Sequence, residues 1–180
     1  MTPQDLVLTP RGLRFRGLTY PCVIGRGGVR DDKREGDGGT PLGLHRIVDL
    51  YYRPDRMAPP NAWAKPIRPG DLWSDDPAQA DYNHPVRQPY CGSHEVMRRA
   101  DPMYDLVLIT DWNYPNAVSG WGSCIFLHQW RRPGYPTAGC VAFRRDHLRA
   151  IAARLMPGDR LIVPHLRAGP RHAGPSHAPR

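Results

Sequence analysis

Apolar residues in this chain come in short runs, broken repeatedly by glycine, proline and aspartate. The pattern predicts strands over residues 5–8, 12–16, 21–24, 43–49, 105–110, 124–128, 141–143 and 160–163. Helical spacing is convincing only near the C-terminal end. There Leu148, Ile151, Ala152 and Leu155 fall at i, i+3, i+4 and i+7. Asp146 is the expected cap of that helix and Pro157-Gly158 its stop. A mainly β protein with few helices follows. Two stretches carry no regular pattern. Residues 26–40 are polar and glycine-rich, without the Gly-Lys-Ser/Thr ending of a phosphate loop. Residues 53–104 mix proline with buried-type aromatics such as Trp63 and Trp73, and read as a long loop insertion that covers or shapes a cleft. Within it, Ser93-His94-Glu95 is a candidate helix start, with Val96 and Met97 turned inward.

Candidate chemistry sits where two of the apolar runs meet polar residues. The run Ile125-Phe126-Leu127 ends on His128, and Cys140 follows Pro136-Thr137-Ala138-Gly139. Thiol chemistry needs a thiolate, a base and a donor for the developing oxyanion. His128, Cys140 and the amides around Gly139 supply these if their strands pair, and Gly139 leaves room for a carbonyl to approach the sulfur. His128 is then expected to lower the thiol pKa below its free value of ~8.5. A lone cysteine among apolar residues is more often a small buried hydrophobe. Cys22 and Cys124 read that way, and Cys91 lies in a polar loop. The residues alone leave both readings of Cys140 open.

Three blocks resemble the YkuD-type L,D-transpeptidases. His128 followed by Thr137-Ala138-Gly139-Cys140-Val141 is similar to their catalytic motif. Gly39-Thr40-Pro41-Leu42-Gly43-Leu44-His45-Arg46-Ile47 looks like their Thr-Pro hairpin. Trp73-Ser74-Asp75-Asp76-Pro77 with Tyr82-Asn83 resembles an element of some branches. The chain departs from the pattern at Ala138, where a histidine is usual, at Ala142, where arginine or asparagine is usual, and at Gln129. The resemblance implies a catalytic β-sandwich or barrel over residues 1–166, with the insertion at about 53–104. It implies Cys140 as nucleophile, His128 as base and Gly139 in the oxyanion loop. Thr137, Ala138, His94 and Tyr82 are the expected substrate-binding residues, with His94 a candidate substitute for the missing motif histidine. The implied activity is cross-linking of peptidoglycan stem peptides through a thioester, with no cofactor and with carbapenem β-lactams as expected inhibitors. The altered motif and the insertion favour L-Ala to diaminopimelate (1,3) links over 3,3 links. The alternatives are an L,D-carboxypeptidase or amide hydrolase, and an inactive wall-binding module.

Composition narrows the partners. The chain has 180 residues, enough for one domain with a real core, and a net charge of +8. The arginines are scattered and form no basic stripe interleaved with aromatics, which argues against nucleic acid. The charge suits an anionic polymer such as cell wall, or solubility. No run approaches a membrane span, and Met1-Thr2-Pro3-Gln4-Asp5 does not begin a signal peptide. A family location in the periplasm or cell wall stands against that start. Four cysteines without a CxxC pair read neither as a disulfide framework nor as a metal site, and the histidines lack metal-ligand spacing. Residues 167–180, rich in Gly, Pro, His and Arg, are expected to be a disordered tail.

Overall fold

A computed structural model describes residues 2–166, so the expected tail at 167–180 lies outside the described residues. The first half contains β1 (Leu6–Thr9), β2 (Gly12–Phe15), β3 (Leu18–Tyr20), β4 (Cys22–Val23), β5 (Val29–Arg30), β6 (Thr40–Pro41) and β7 (Gly43–Tyr52). Next come β8 (Lys65–Pro66), β9 (Asp71–Ser74), β10 (Pro85–Arg87) and β11 (His94–Val96). The C-terminal part holds β12 (Leu106–Thr110), β13 (Phe126–Gln129), β14 (Val141–Phe143), the helix α1 (Arg145–Ala152) and β15 (Arg160–Val163).

One mixed sheet runs in the order β3-β2-β1-β15-β7-β12-β13-β14-β4, with β8 beside the second half of β7. It curls into a nearly closed barrel. The protein is mainly β with one helix among the described residues.

Strand β12 explains the layering. Its five residues are all buried, as a central strand covered on both faces requires. Side chains alternate between faces. Leu106 and Leu108 join one core with Leu6, Phe15, Leu148 and Ile151, under α1. Val107 and Ile109 join a second core with Ile67, Trp73, Met97, Tyr104 and Phe126. One face of the sheet is thus roofed by the helix and the other by residues 67–104. Burying Leu148 or Ile151 contributes roughly 1.5–3 kcal/mol each.

The helix is shorter than its apolar spacing predicts. It ends at Ala152, although Leu155 is still buried. Its N-cap is Arg144, and Asp146 lies inside the first turn, paired with Arg144, where a carboxylate favours the helix dipole without capping it. Carbonyls at and just beyond the helix end are taken up from residues 53–104. Asn61 Nδ2 donates to Ala152 O (2.8 Å) and Trp63 Nε1 to Leu155 O (3.0 Å).

Residues 53–104 are therefore built, not loose. Strands β10-β9-β11 form a small antiparallel sheet, and His94–Val96, expected to begin a helix, is one of its strands. The pairing with β9 satisfies that backbone, and three-residue strands leave no period for a sequence to display. The ends of the segment are tied together by Arg53, which donates to Arg99 O (2.6 Å), and by Arg56, which donates to Asp105 Oδ1 (2.7 Å).

Candidate active site

The parallel pairing of β13 with β14 sets Leu127 opposite Val141 and His128 opposite Ala142. Carried back two residues, that register puts Phe126 opposite Cys140, and the Phe126 N–H donates to Cys140 Sγ (3.4 Å). Residues two apart share a face. Cys140 and His128 therefore point to the same side of the sheet, the side roofed by residues 67–104. Both line a cleft of about 460 Å³, together with Lys33, Glu35, Asp75, Glu95, Tyr104 and Cys124 among others.

The backbone before the cysteine is pinned from the glycine-rich segment. Gly25 bridges Thr137, with the Arg26 N–H donating to Thr137 O (2.9 Å) and the Thr137 N–H to Ile24 O (3.0 Å). Buried Thr40 donates its hydroxyl to Gly139 O (2.7 Å) and accepts the Gly25 N–H (3.0 Å). Gly139 has φ +149, and a Cβ there would lie 2.9 Å from Gly39 O and 3.0 Å from Ile125 Cδ1. Conformation and space both demand glycine. Its own N–H is donated to Thr137 Oγ1 (3.1 Å).

Protonation follows from burial. The Cys140 thiol is pushed up to about 12, first by desolvation, against the pull of the Phe126 N–H. This is opposite to the expected lowering. His128 is pushed down to about 4, again by desolvation, with its bond to Gln129 working the other way. The resting site thus holds a neutral thiol and a neutral imidazole, not an ion pair. The thiol donates to Cys124 O (2.9 Å). His128 Nδ1 lies 2.7 Å from Gln129 O. A carbonyl can only accept, so Nδ1 carries the proton and Nε2 keeps the lone pair of a base. Tyr104 and the His128 ring pack edge to face, with centroids 5.4 Å apart.

The remaining candidates are scattered. Thr137 and Ala138 line the cleft, Ala138 exposed. His94 is not among the lining residues; its Nδ1 bonds Gly92 O (2.7 Å) and its ring meets Tyr90. Tyr82 is buried beneath the site, donating its hydroxyl to Glu35, which does line the cleft. Cys124 packs against the core of Trp73 and Phe126, as a small hydrophobe would, and also lines the cleft; its backbone carbonyl accepts the hydrogen bond from the Cys140 thiol. Its own N–H donates to Asn83 Oδ1 (3.0 Å), which also accepts from Trp73 Nε1 (3.0 Å). The Trp73 and Asn83 block thus carries the position of the sulfur's partner. Asn61–Trp63 lie against α1; from residues 53–104 it is Asp75, Glu95, Met103 and Tyr104 that reach the cleft. All four cysteines are free, and among the described residues no three His, Cys, Asp or Glu converge as metal ligands.

Comparison with models of protein families matches residues 6–163 to the YkuD family, the L,D-transpeptidase catalytic domain. No curated protein matches the chain, and no solved structure matches it.

Proposed function

The chain belongs to the YkuD family of L,D-transpeptidase catalytic domains, and from that premise we propose that it is a cysteine-dependent transpeptidase acting on peptidoglycan stem peptides outside the cytoplasmic membrane. The observation that carries the reading is the neutral thiol and the neutral imidazole with a free Nε2, on one face of paired strands, in one cleft. A substrate carbonyl seated over Gly139 meets Cys140 Sγ. His128 Nε2 takes the thiol proton as the C–S bond forms, so thiolate charge need not build up in the buried resting site. The Cys140 N–H is the donor to the oxyanion. The imidazolium then protonates the leaving amine, and a thioester remains. A second stem's amine attacks it to give the cross-link.

We further propose a 1,3 linkage, from L-Ala of one stem to diaminopimelate of the other. Support comes from Ala138 and Ala142, which stand where the family's larger polar groups are usual, and from the wall of Met103 and Tyr104 beside the cysteine. The test is incubation with defined muropeptides, with products identified by tandem mass spectrometry. Dimers carrying an L-Ala to diaminopimelate bond, absent with Cys140→Ala, are the expected result. Exclusively 3,3 dimers would overturn the linkage. Release of monomers alone would make the protein a hydrolase, and no product would leave a wall-binding module.

A further inference from the structure

Three carboxylates line the cleft, and the cysteine and histidine need none of them; Glu35 accepts from the Tyr82 hydroxyl, which leaves Asp75 and Glu95. Strands β9 and β11 are antiparallel, with Glu95 opposite Trp73 and His94 opposite Ser74. One step further the Asp75 N–H donates to Ser93 O (3.2 Å). Residues two apart share a face, so Asp75 and Glu95 are diagonal neighbours on one side of the pair, about 7–8 Å apart along the backbone. Both line the cleft that holds Cys140 and His128.

These acids differ from the structural ones around them. Asp76 accepts backbone N–H groups of Ala78 (3.0 Å) and Ser93 (3.2 Å) and closes a turn. Asp37 holds Lys33 (2.9 Å). Asp75 Oδ1, by contrast, is buried with no hydrogen-bond partner, which costs free energy unless a donor arrives. Glu95 uses only Oε2, at 3.5 Å from the Tyr104 hydroxyl and 3.7 Å from Arg99 Nη1. Its Oε1 has no partner among the described residues. Three cations also line the cleft: Arg26, tied by its backbone to Thr137, Lys33, paired with Asp37, and Arg131. None of the three forms an ion pair with Asp75 or Glu95 among the described residues, and the ion pair of Glu95 with Arg99 leaves its Oε1 unused.

We infer that Asp75 and Glu95 seat the incoming amine: Asp75 Oδ1 and Glu95 Oε1 hold the ammonium of the acceptor stem, and Glu95 takes the proton that it must lose before it attacks. The inference rests on the thioester reading above and names its second half-reaction. Burial raises the Glu95 pKa, Arg99 opposes this, and the neighbouring Asp75 charge adds to it, which makes Glu95 a stronger proton acceptor than a surface carboxylate. The protons and bonds balance. The ammonium gives one proton to Glu95, and the free amine adds to the thioester carbonyl. His128 Nε2 takes a second proton from the nitrogen, and the C–S bond breaks. His128 returns its proton to the Cys140 sulfur, while Glu95 releases its own to solvent. The seat selects a cationic primary amine over water.

The test begins from isolated acyl-enzyme, so that acylation rates do not enter. Wild type, Glu95→Gln and Asp75→Asn are loaded with a donor stem. Each is then mixed with a diaminopimelate-containing acceptor or with hydroxylamine, which is uncharged at neutral pH. The ratio of amine transfer to hydrolysis is read by mass spectrometry. Transfer to the cationic acceptor should fall roughly 100-fold in Glu95→Gln and fall also in Asp75→Asn, while transfer to hydroxylamine holds. Equal losses with both nucleophiles would show distortion of the cleft and overturn the inference, as would unchanged transfer in both variants. A wild type that never forms a thioester would overturn the proposed function as well; a thioester with an unaltered ratio in the variants sinks the amine seat alone.

Discussion

Replacing Thr40 by valine removes one hydroxyl and almost no volume. That hydroxyl is 1% exposed with its residue, donates to Gly139 O and accepts from Gly25 N. A valine methyl can do neither, so a buried carbonyl and a buried N–H lose their partners together. Each such orphan costs about 1–3 kcal/mol, giving about 2–6 kcal/mol for the pair, set against the roughly 5–15 kcal/mol that holds a domain folded. Thr40→Ser keeps the hydroxyl and drops one methyl, worth about 1 kcal/mol. Urea unfolding of the three proteins, with midpoint and slope fitted separately, reads the difference. The same substitution frees the carbonyl of the residue before Cys140, so Cys140 alkylation, followed by peptide mass, should change in Thr40→Val and stay near wild type in Thr40→Ser. Valine and serine variants of equal stability and equal alkylation rate would refute the reasoning that this hydroxyl pins the cysteine loop.

Other outcomes follow from the same geometry. Gly139→Ala should cost about 1–3 kcal/mol in backbone strain, with the close contacts to Gly39 and Ile125 added, and should slow modification of Cys140; thermal unfolding and thiol labelling check it. His128, held near 4 against an unfolded value near 6.5, takes up its proton more readily when unfolded. Its contribution is therefore full above about pH 6.5 and is lost as pH falls towards 4, by about 3 kcal/mol in all; His128→Gln should flatten that part of the stability–pH curve, and an identical curve would contradict the buried neutral imidazole. Cys140, with its thiol raised to about 12, should react with iodoacetamide at pH 7 more slowly than exposed Cys91.

The strands that the sequence displays are those whose burial is simple. Residues 106–109 form an unbroken apolar run because β12 is covered on both faces, and the runs 161–163 and 141–143 are similarly plain. Strand β7 runs on to Tyr52, past the predicted end, because β8 and β12 pair with its second half. Strands β9 to β11 stay hidden for a physical reason. Three or four residues hold too little alternation to read, and their stability comes from packing Trp73 and Met97 onto β12 and β13. The site divides in the same way. His128 and Cys140 are conspicuous because one apolar run ends at the first and another begins after the second. Asp75 and Glu95 are twenty residues apart in the chain, and only the register of β9 with β11 brings them to one face. The thiol's raised pKa was equally out of reach, since it depends on how deeply residues 67–104 bury the sulfur.

The central claim is that Cys140 becomes acylated with His128 as its base, and intact-mass spectrometry after exposure to a carbapenem tests it most directly. The account predicts a single added acyl mass, mapped to the peptide containing Cys140, absent from Cys140→Ser and much slower to form in His128→Gln. An adduct on Cys22, Cys91 or Cys124 with Cys140 untouched, or acylation of Cys140 at an unchanged rate without His128, would contradict it.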